Sequence, residues 1–566
     1  MDFPSDTEHF NIHYVPSDKE IPAIRNAVRK GEEALKKIDG RMEELRQELR
    51  GLEERREIQE REVNRQKNLL APIQRVNVDV LTSIFLSVLD VLDGDWLWIA
   101  AFHPALVISH VCRRWREVAL ATKVLWRHLH VRIPLYPCSS SGQNEWKVNV
   151  VNLVQMTKLW ISRSENSHLN VKIIDMGGFL GGLEEAFFTQ CIEFNELVEI
   201  ICSSSTRWTD FYLMTGFPQA QRPNFPTNRL LTVQFTPALT TVELHCSIPE
   251  FRRRDPLNEH IVSSTNIFSA PTLRSLRISP RIMLHDLMHM PVTWSSLEHF
   301  SFDGYPIGSG RCFDVAQALG LFEECPNLVT CHLALQRDDV TIPIGRSPVP
   351  LQKLRALAFT PYTSQLPKGL APFLILPSLR KLEVFTGFSA CTPREYEESG
   401  LSEFFERFRP TLEDVTFCYK SLTQTGLHDC LGNLPNVTSL GLVSEDRGIL
   451  DEDAGAANLN SDLFKHLTPK FDETGTPVTS LPLCPRIELF KFGAFRDEVP
   501  QEALVDFIEA RRREVNNRSL KSGLTRLREV DCSHYYFPAA HFSQALRSRG
   551  VDLEAFSLTN CFDFFS

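Results

Sequence analysis

The sequence has no Cys-x-x-Cys pair, no Gly-x-Ser-x-Gly turn, no surplus of basic residues and no apolar run long enough to cross a bilayer. Each absence removes a class of function. The cysteines stand singly from Cys112 to Cys561, which disfavours a disulfide framework or a thiolate zinc site and favours reduced, mostly buried thiols. The most apolar stretch, Trp96 to Val111, is broken by His103, Pro104 and His110, so no transmembrane helix is expected. Asp plus Glu number 71 against 61 Lys plus Arg, and the formal charge of -10 gives no general attraction to nucleic acid or to a membrane surface. The opening MDFPSDTEHF has neither the basic nor the apolar region of a secretory leader, so a cytoplasmic or nuclear location is expected. What is present, in 566 residues, is 43% hydrophobic and 23% charged, the composition of a globular protein with a large core.

Reactive chemistry finds little support. Gly177-Gly178-Phe179-Leu180-Gly181-Gly182 lacks the Lys-Ser/Thr of a phosphate loop and precedes Glu184-Glu185, which would repel phosphate. His285 and His289 can share a helix face, but Asp286 between them is not the Glu of a zincin. The triplets Arg252-Arg253-Arg254 and Arg511-Arg512-Arg513 sit beside acids and read as solvated faces or weak import signals. No catalytic residue, metal or cofactor is expected.

Residues 1–22 are expected to be a disordered tail and residues 23–71 a long helix. Ile24, Val28, Gly31, Leu35, Ile38, Met42, Leu45, Leu49 and Leu52 step by four and three alternately, a heptad seam. A second copy of the chain is one candidate partner for that seam, giving a homodimeric coiled coil; a lone solvated helix is the other. Gly31, Gly40 and Gly51 weaken the helix by about 1 kcal/mol each.

Residues 72–133 form a helical block dense in apolar groups. Ile73, Val76, Val80, Leu81, Ile84, Phe85, Val88, Leu89 and Leu92 follow Pro72 at helical spacings, and Val111-Cys112-Arg113-Arg114-Trp115 and Leu125-Trp126 come later. So much apolar surface exceeds what so small a core can bury, so part of it is expected to bind another protein. Read from the residues alone, the block is either that docking module or an internal helical core joining the coil to the rest.

These two runs, in this order, resemble an F-box, in particular the F-box-like proteins of fungi in which a short coiled coil precedes the box and leucine-rich-repeat-like units follow. The resemblance implies docking on a Skp-type adaptor of a cullin-RING ubiquitin ligase, with Ile73, Val76, Val80, Leu81, Ile84, Phe85, Val111, Cys112 and Trp115 at the adaptor-binding positions. Val76-Asn77 stands where the family has Leu-Pro, and Asp79 where it has Glu. Asn77 can serve there as a helix N-cap.

Residues 145–566 repeat. An apolar residue, another three later and a third two after that recur twelve times: Trp208/Phe211/Leu213, Leu239/Val242/Leu244, Leu273/Leu276/Ile278, Leu297/Phe300/Phe302, Leu328/Cys331/Leu333, Leu354/Leu357/Phe359, Leu379/Leu382/Val384, Leu412/Val415/Phe417, Val437/Leu440/Leu442, Ile487/Phe490/Phe492, Leu527/Val530/Cys532 and Leu553/Phe556/Leu558. Leu169/Val171/Ile173 opens the series. The last two members lie on one face of a strand, and amphipathic stretches such as Phe313 to Glu324 and Leu401 to Phe408 fill the intervals. Such units cannot bury their apolar faces alone, so the fold class expected is an α/β solenoid with a parallel sheet, irregular and leucine-rich-repeat-like. An acidic insertion is expected around 444–460.

The implied function is that of a substrate receptor: the box holds the adaptor and the repeats hold an unknown protein target, with no enzymatic role of its own. The alternative is a coiled-coil and repeat scaffold that does not couple to a ligase. The strand residues between apolar members, Glu243, Arg277, Ser301, His332, Ala358, Glu383, Thr416, Gly441, Lys491 and Asp531, point away from the core and mix charges without an aromatic or basic stripe. Tyr535 and Tyr536 are the candidate substrate-binding residues, since tyrosine suits a partly wet interface.

Overall fold

A computed structural model describes residues 16–70, 72–91, 98–135, 142–175, 191–215, 229–246, 266–278, 287, 289–302, 312–336, 346–361, 366–385, 400–444, 456–471, 482–493, 499–512, 524–532, 539–551 and 557–560. The chain divides into two compact units, Met1–Ile84 and Phe85–Ser566. In the first, α1 runs from Ile21 to Leu70, about 75 Å at about 1.5 Å per residue. A 3-10 turn at Pro72–Arg75 follows, and α2 (Val78–Val91) begins in this unit and continues into the second. Asn77 is placed as the sequence suggests, with its Oδ1 facing the Asp79 N–H at a long 3.5 Å and its carbonyl accepting from Leu81 N–H.

In the second unit, α3 (Pro104–Val111) and α4 (Arg113–Ala121) pack on each other and lead into β1 (His128–Ile133). The sheet therefore begins inside the 72–133 block and not after residue 145. The missed signal is Trp126/Leu129/Val131, which has the same spacing as the repeats. Helix α5 (Gln143–Ser164) returns the chain to β2 (Leu169–Asp175), and its Trp160 meets Trp126 edge-to-face with ring centroids 4.9 Å apart. The helices α3 and α4 and the first repeat thus share one core.

The remaining strands are β3 (Trp208–Thr215), β4 (Thr241–Cys246), β5 (Ser275–Ile278), β6 (His299–Phe302), β7 (Thr330–Leu335), β8 (Val349–Pro350), β9 (Ala356–Pro361), β10 (Leu374–Ile375), β11 (Lys381–Val384), β12 (Asp414–Cys418), β13 (Ser439–Val443), β14 (Leu489–Gly493), β15 (Glu529–Cys532) and β16 (Ser557–Asn560). All but β8 and β10, which pair with each other, form one 14-stranded parallel sheet whose spatial order follows the chain. Parallel neighbours in chain order need a crossover each time, and helices supply it at both ends of the array: 192–203, 315–324, 401–408, 424–432, 461–467, 501–512 and 539–548. Between β4 and β6 the described crossovers shrink to 3-10 turns at 266–269 and 294–296. This is an α/β protein with a large parallel sheet.

Side-chain chemistry explains the register. The leading member of every set from Trp208 to Leu527 is at most 1% exposed, so each unit hangs on one fully buried anchor. The residue just before several anchors bonds backward to a carbonyl of the preceding unit: Thr272 Oγ1 to Leu239 O at 2.8 Å, Ser296 Oγ to Leu273 O at 3.0 Å, Asn327 Nδ2 to Ser295 O at 2.8 Å, Ser378 Oγ to Gln352 O at 2.7 Å and Asn436 Nδ2 to Pro410 O at 3.2 Å. The recurring Pro-Asn and Pro-Ser dipeptides thus stop one unit and fasten the next. The edge at β1 is covered in part: Ile99 N–H donates to His130 O at 2.9 Å, beside a bridge from Trp98.

One reading of the charged residues changes. Arg511 and Arg512 are not a solvated face; they are 2% and 7% exposed. Cys191, Cys312, Cys325, Cys331, Cys418, Cys430, Cys484 and Cys532 are buried free thiols, and burial pushes those of Cys325, Cys430 and Cys484 up to about 12. Among the described residues no helix is long and apolar enough to cross a membrane. The triplet at 252–254, the glycine run at 177–182, His285 and most of the acidic stretch at 444–460 lie outside the described residues.

Candidate functional site

The nine positions aligned with an adaptor-binding motif separate into three environments. In the first unit, Leu81 is fully buried, Ile73 and Val76 are half-buried, and Val80 and Ile84 are exposed at 51% and 39%. In the second, Phe85 is buried with its ring 5.0 Å from that of half-buried Trp115, and Val111 is exposed. Cys112 acts locally, because its extended backbone and its sulfur, 3.4 Å from Trp115 N–H, cap the start of α4. Leu81, Phe85 and Cys112 therefore hold the fold, while Val80, Ile84 and Val111 remain uncovered.

The uncovered set is larger than the motif showed. In the second unit Val88, Phe102, Val107, Leu120 and Val124 are exposed as well. The reason is the composition of α2. Leu81, Phe85 and Leu89 recur every four residues and are buried, and the row one residue earlier, Val80, Ile84 and Val88, is just as apolar. A helix of one buried face needs only one such row.

The outer face of the sheet is the second candidate. Register pairs Glu243, Arg277, Ser301, His332, Ala358, Glu383, Thr416, Gly441, Lys491 and Asp531 as one continuous row across ten strands. A groove of about 480 Å³ crosses β4 to β11, lined among others by Glu243, Arg277, Ser301, His332, Glu383 and Phe385. Its floor falls at β9, where the outward residues Ala356 and Ala358 have almost no side chain. Glu243 Oε1 lies 2.7 Å from His245 Nε2 and accepts from Arg277 at 3.3 Å. Burial alone would raise the Glu243 carboxyl, but the His245 hydrogen bond and the Arg277 charge outweigh it and hold the group below the usual carboxylate range. His332 Nε2 meets Thr360 Oγ1 at 2.9 Å and its Nδ1 faces Ser301 Oγ at 3.5 Å. The groove offers hydrogen bonds and both signs of charge within a few residues.

The row also continues where sequence reasoning did not follow it, through Tyr212 on β3, Lys172 on β2 and His130 on β1. There it is aromatic. Lys172 Nζ sits 5.1 Å from the Tyr212 ring centroid and 5.3 Å from that of Trp98, and the Tyr212 and His245 rings are 5.1 Å apart. Those residues were missed because β1 was assigned to the helical block and β2 was read only for its apolar members. Tyr535 and Tyr536 lie outside the described residues.

Among the described residues one group, His428, Asp462 and His466, brings three metal-ligating side chains together, with donor atoms within 4.8 Å of one another. In comparisons with known proteins, no family model matches the chain and no curated protein matches it.

Proposed function

We propose that the chain is a non-catalytic receptor subunit of a cullin-RING ubiquitin ligase. The helices of the block 72–133, ahead of β1, hold a Skp-type adaptor, and leucine-rich-repeat-like units hold a protein target on the outer face of their sheet. The observation that supports this reading is the apolar surplus: Val80 and Ile84 in one unit and Val107 and Val111 in the other are apolar side chains exposed at 51%, 39%, 52% and 57%. Apolar side chains concentrated in so short a segment stabilise an interface and little else. A receptor needs no reactive group; it raises the local concentration of its target near the ligase, and a stack of repeats is a stiff spacer for that purpose.

Mixing purified chain with purified adaptor tests the reading. Val80→Asp with Ile84→Asp should abolish co-elution while leaving the circular dichroism of the sheet unchanged, because both positions reach the surface, at 51% and 39% exposure, and lie outside the sheet. Leu81 is unsuitable for this purpose, since it is fully buried and a charge there attacks the fold. Failure of the unaltered chain to bind adaptor would transfer the reading to a scaffold that does not couple to a ligase.

For the target we assign the aromatic end of the row. A lysine between two aromatic rings, beside a histidine and a paired glutamate, is a rigid amphipathic platform of the kind that carries interface hot spots. The exposed seam of α1 is assigned to a second copy of the chain, because a narrow stripe of period 3.5 is what a coiled coil buries.

A further inference from the structure

We propose that His428, Asp462 and His466 form a binding site for one transition-metal ion of the zinc class. The site would join helix 424–432 to helix 461–467.

The backbones that carry these residues are fixed by their buried faces. Leu427, Cys430 and Leu431 anchor the first helix, and Leu463, Phe464 and Leu467 anchor the second. The second helix is started by Asn460, whose side chain accepts from Leu463 N–H at 2.9 Å. Burial of those rows leaves His428 half-buried and Asp462 and His466 exposed, four residues apart and so on one helical face. The two imidazoles meet edge-to-face with ring centroids 4.7 Å apart.

Proton positions favour a cation. His466 Nδ1 lies 2.8 Å from the Asp462 carbonyl oxygen, and since a carbonyl can only accept, Nδ1 carries the proton. Nε2 is then left with its lone pair, the arrangement by which metal-ligating histidines are usually oriented. His428 Nε2 is buried and has no hydrogen-bond partner. Two imidazole nitrogens and one carboxylate oxygen are a donor set for zinc and its neighbours, with a fourth position left for water.

Without a metal the same geometry sets two imidazoles edge-on, one with an unsatisfied buried nitrogen. With one, the ion would close a loop over residues 429–461, which overlaps the longest interval of the array, from Val437 to Ile487. The repeats on either side would be fastened where the spacing is least regular.

The test uses the full chain, stripped with a chelator and titrated with Zn²⁺ by equilibrium dialysis and calorimetry. One equivalent should bind, and His428→Ala, Asp462→Asn and His466→Ala should each weaken it about tenfold or more. Zn²⁺ should raise the unfolding temperature of the unaltered chain and leave that of His428→Ala unmoved. Co²⁺ in place of Zn²⁺ should give the visible absorption of a four-coordinate nitrogen–oxygen site, lost in the same variants. His245→Ala, which removes a histidine of the sheet face, should leave binding unchanged. Because Asp462 and His466 are exposed, circular dichroism will show those variants folded. Absence of a bound equivalent, or binding indifferent to all three substitutions, overturns the proposal.

Discussion

Arg511 shows how far a single residue can depart from its local context. Flanked by arginines and glutamate, it belongs by composition to a charged surface, yet its guanidinium is buried among backbone carbonyls. Nε and Nη2 donate to Leu467 O at 3.0 and 2.7 Å, and further bonds reach Leu483, Cys484 and Pro485 at 3.0, 3.2 and 2.9 Å. Burial draws its pKa down to about 10, so it stays charged at neutral pH. Leu467 ends helix 461–467, where the dipole is negative, and Cys484 sits in the left-handed region with φ 47°. One planar fork thus satisfies a helix end and a turn together. Arg511→Met should cost about 3–5 kcal/mol in urea unfolding, since it strands the buried carbonyls of Leu467 and Cys484 and the half-buried ones of Leu483 and Pro485, and Arg511→Lys should recover only a fraction of it. A loss below about 1 kcal/mol would mean that the carbonyls find water instead.

At the scale of elements, periodicity was legible wherever an element has one buried face. In every fully described set of the twelve the last two members lie on a strand of the sheet and the leading one, Trp208 apart, sits two residues before it, because a buried parallel strand needs an alternating apolar pair and a leading anchor. Less was legible where an element is apolar on two faces. In α2 the sequence does not say which of the rows Leu81/Phe85/Leu89 and Val80/Ile84/Val88 is core, since both fit a helix; only packing decides. Helix α1 presents the reverse case, a clear seam with its side chains in water: Leu35 is 61% exposed and Leu49 55%. Such a stripe is expected to pair with its copy, so analytical ultracentrifugation should find a dimer, and Leu45→Glu with Leu49→Glu should return it to a monomer. Gly40 and Gly51 lie off the seam and a Cβ there would meet nothing within 4 Å. Replacing both with Ala should therefore strengthen the helix by about 1 kcal/mol each and tighten the dimer. A monomer at every concentration would leave α1 as a lone helix.

The whole second unit depends on the junction where α3 and α4 meet the first strand, and that junction holds histidines that cannot accept protons cheaply. His103 is fully buried at the start of α3, its Nδ1 accepting from Ala105 N–H at 3.1 Å and its ring 4.7 Å from that of Trp160. Burial, and then the neighbouring His130, lower its pKa to about 4; burial, His130, Arg127 and His103 lower that of His128 to about 3. In the unfolded chain both titrate near 6.5, so between pH 6.5 and about 4 the unfolded state binds more protons than the folded one. The sign follows: stability is full above pH 6.5 and falls as the pH drops. With both histidines contributing, the slope near pH 5 approaches about 2.7 kcal/mol per pH unit. His103→Asn keeps an acceptor for the helix N-cap and removes the proton, so its slope over the same range should be roughly half that of the unaltered chain. Urea unfolding at pH 7, 6 and 5 measures both. Equal slopes would show that His103 is not the group that titrates, and that acid acts elsewhere on the sheet.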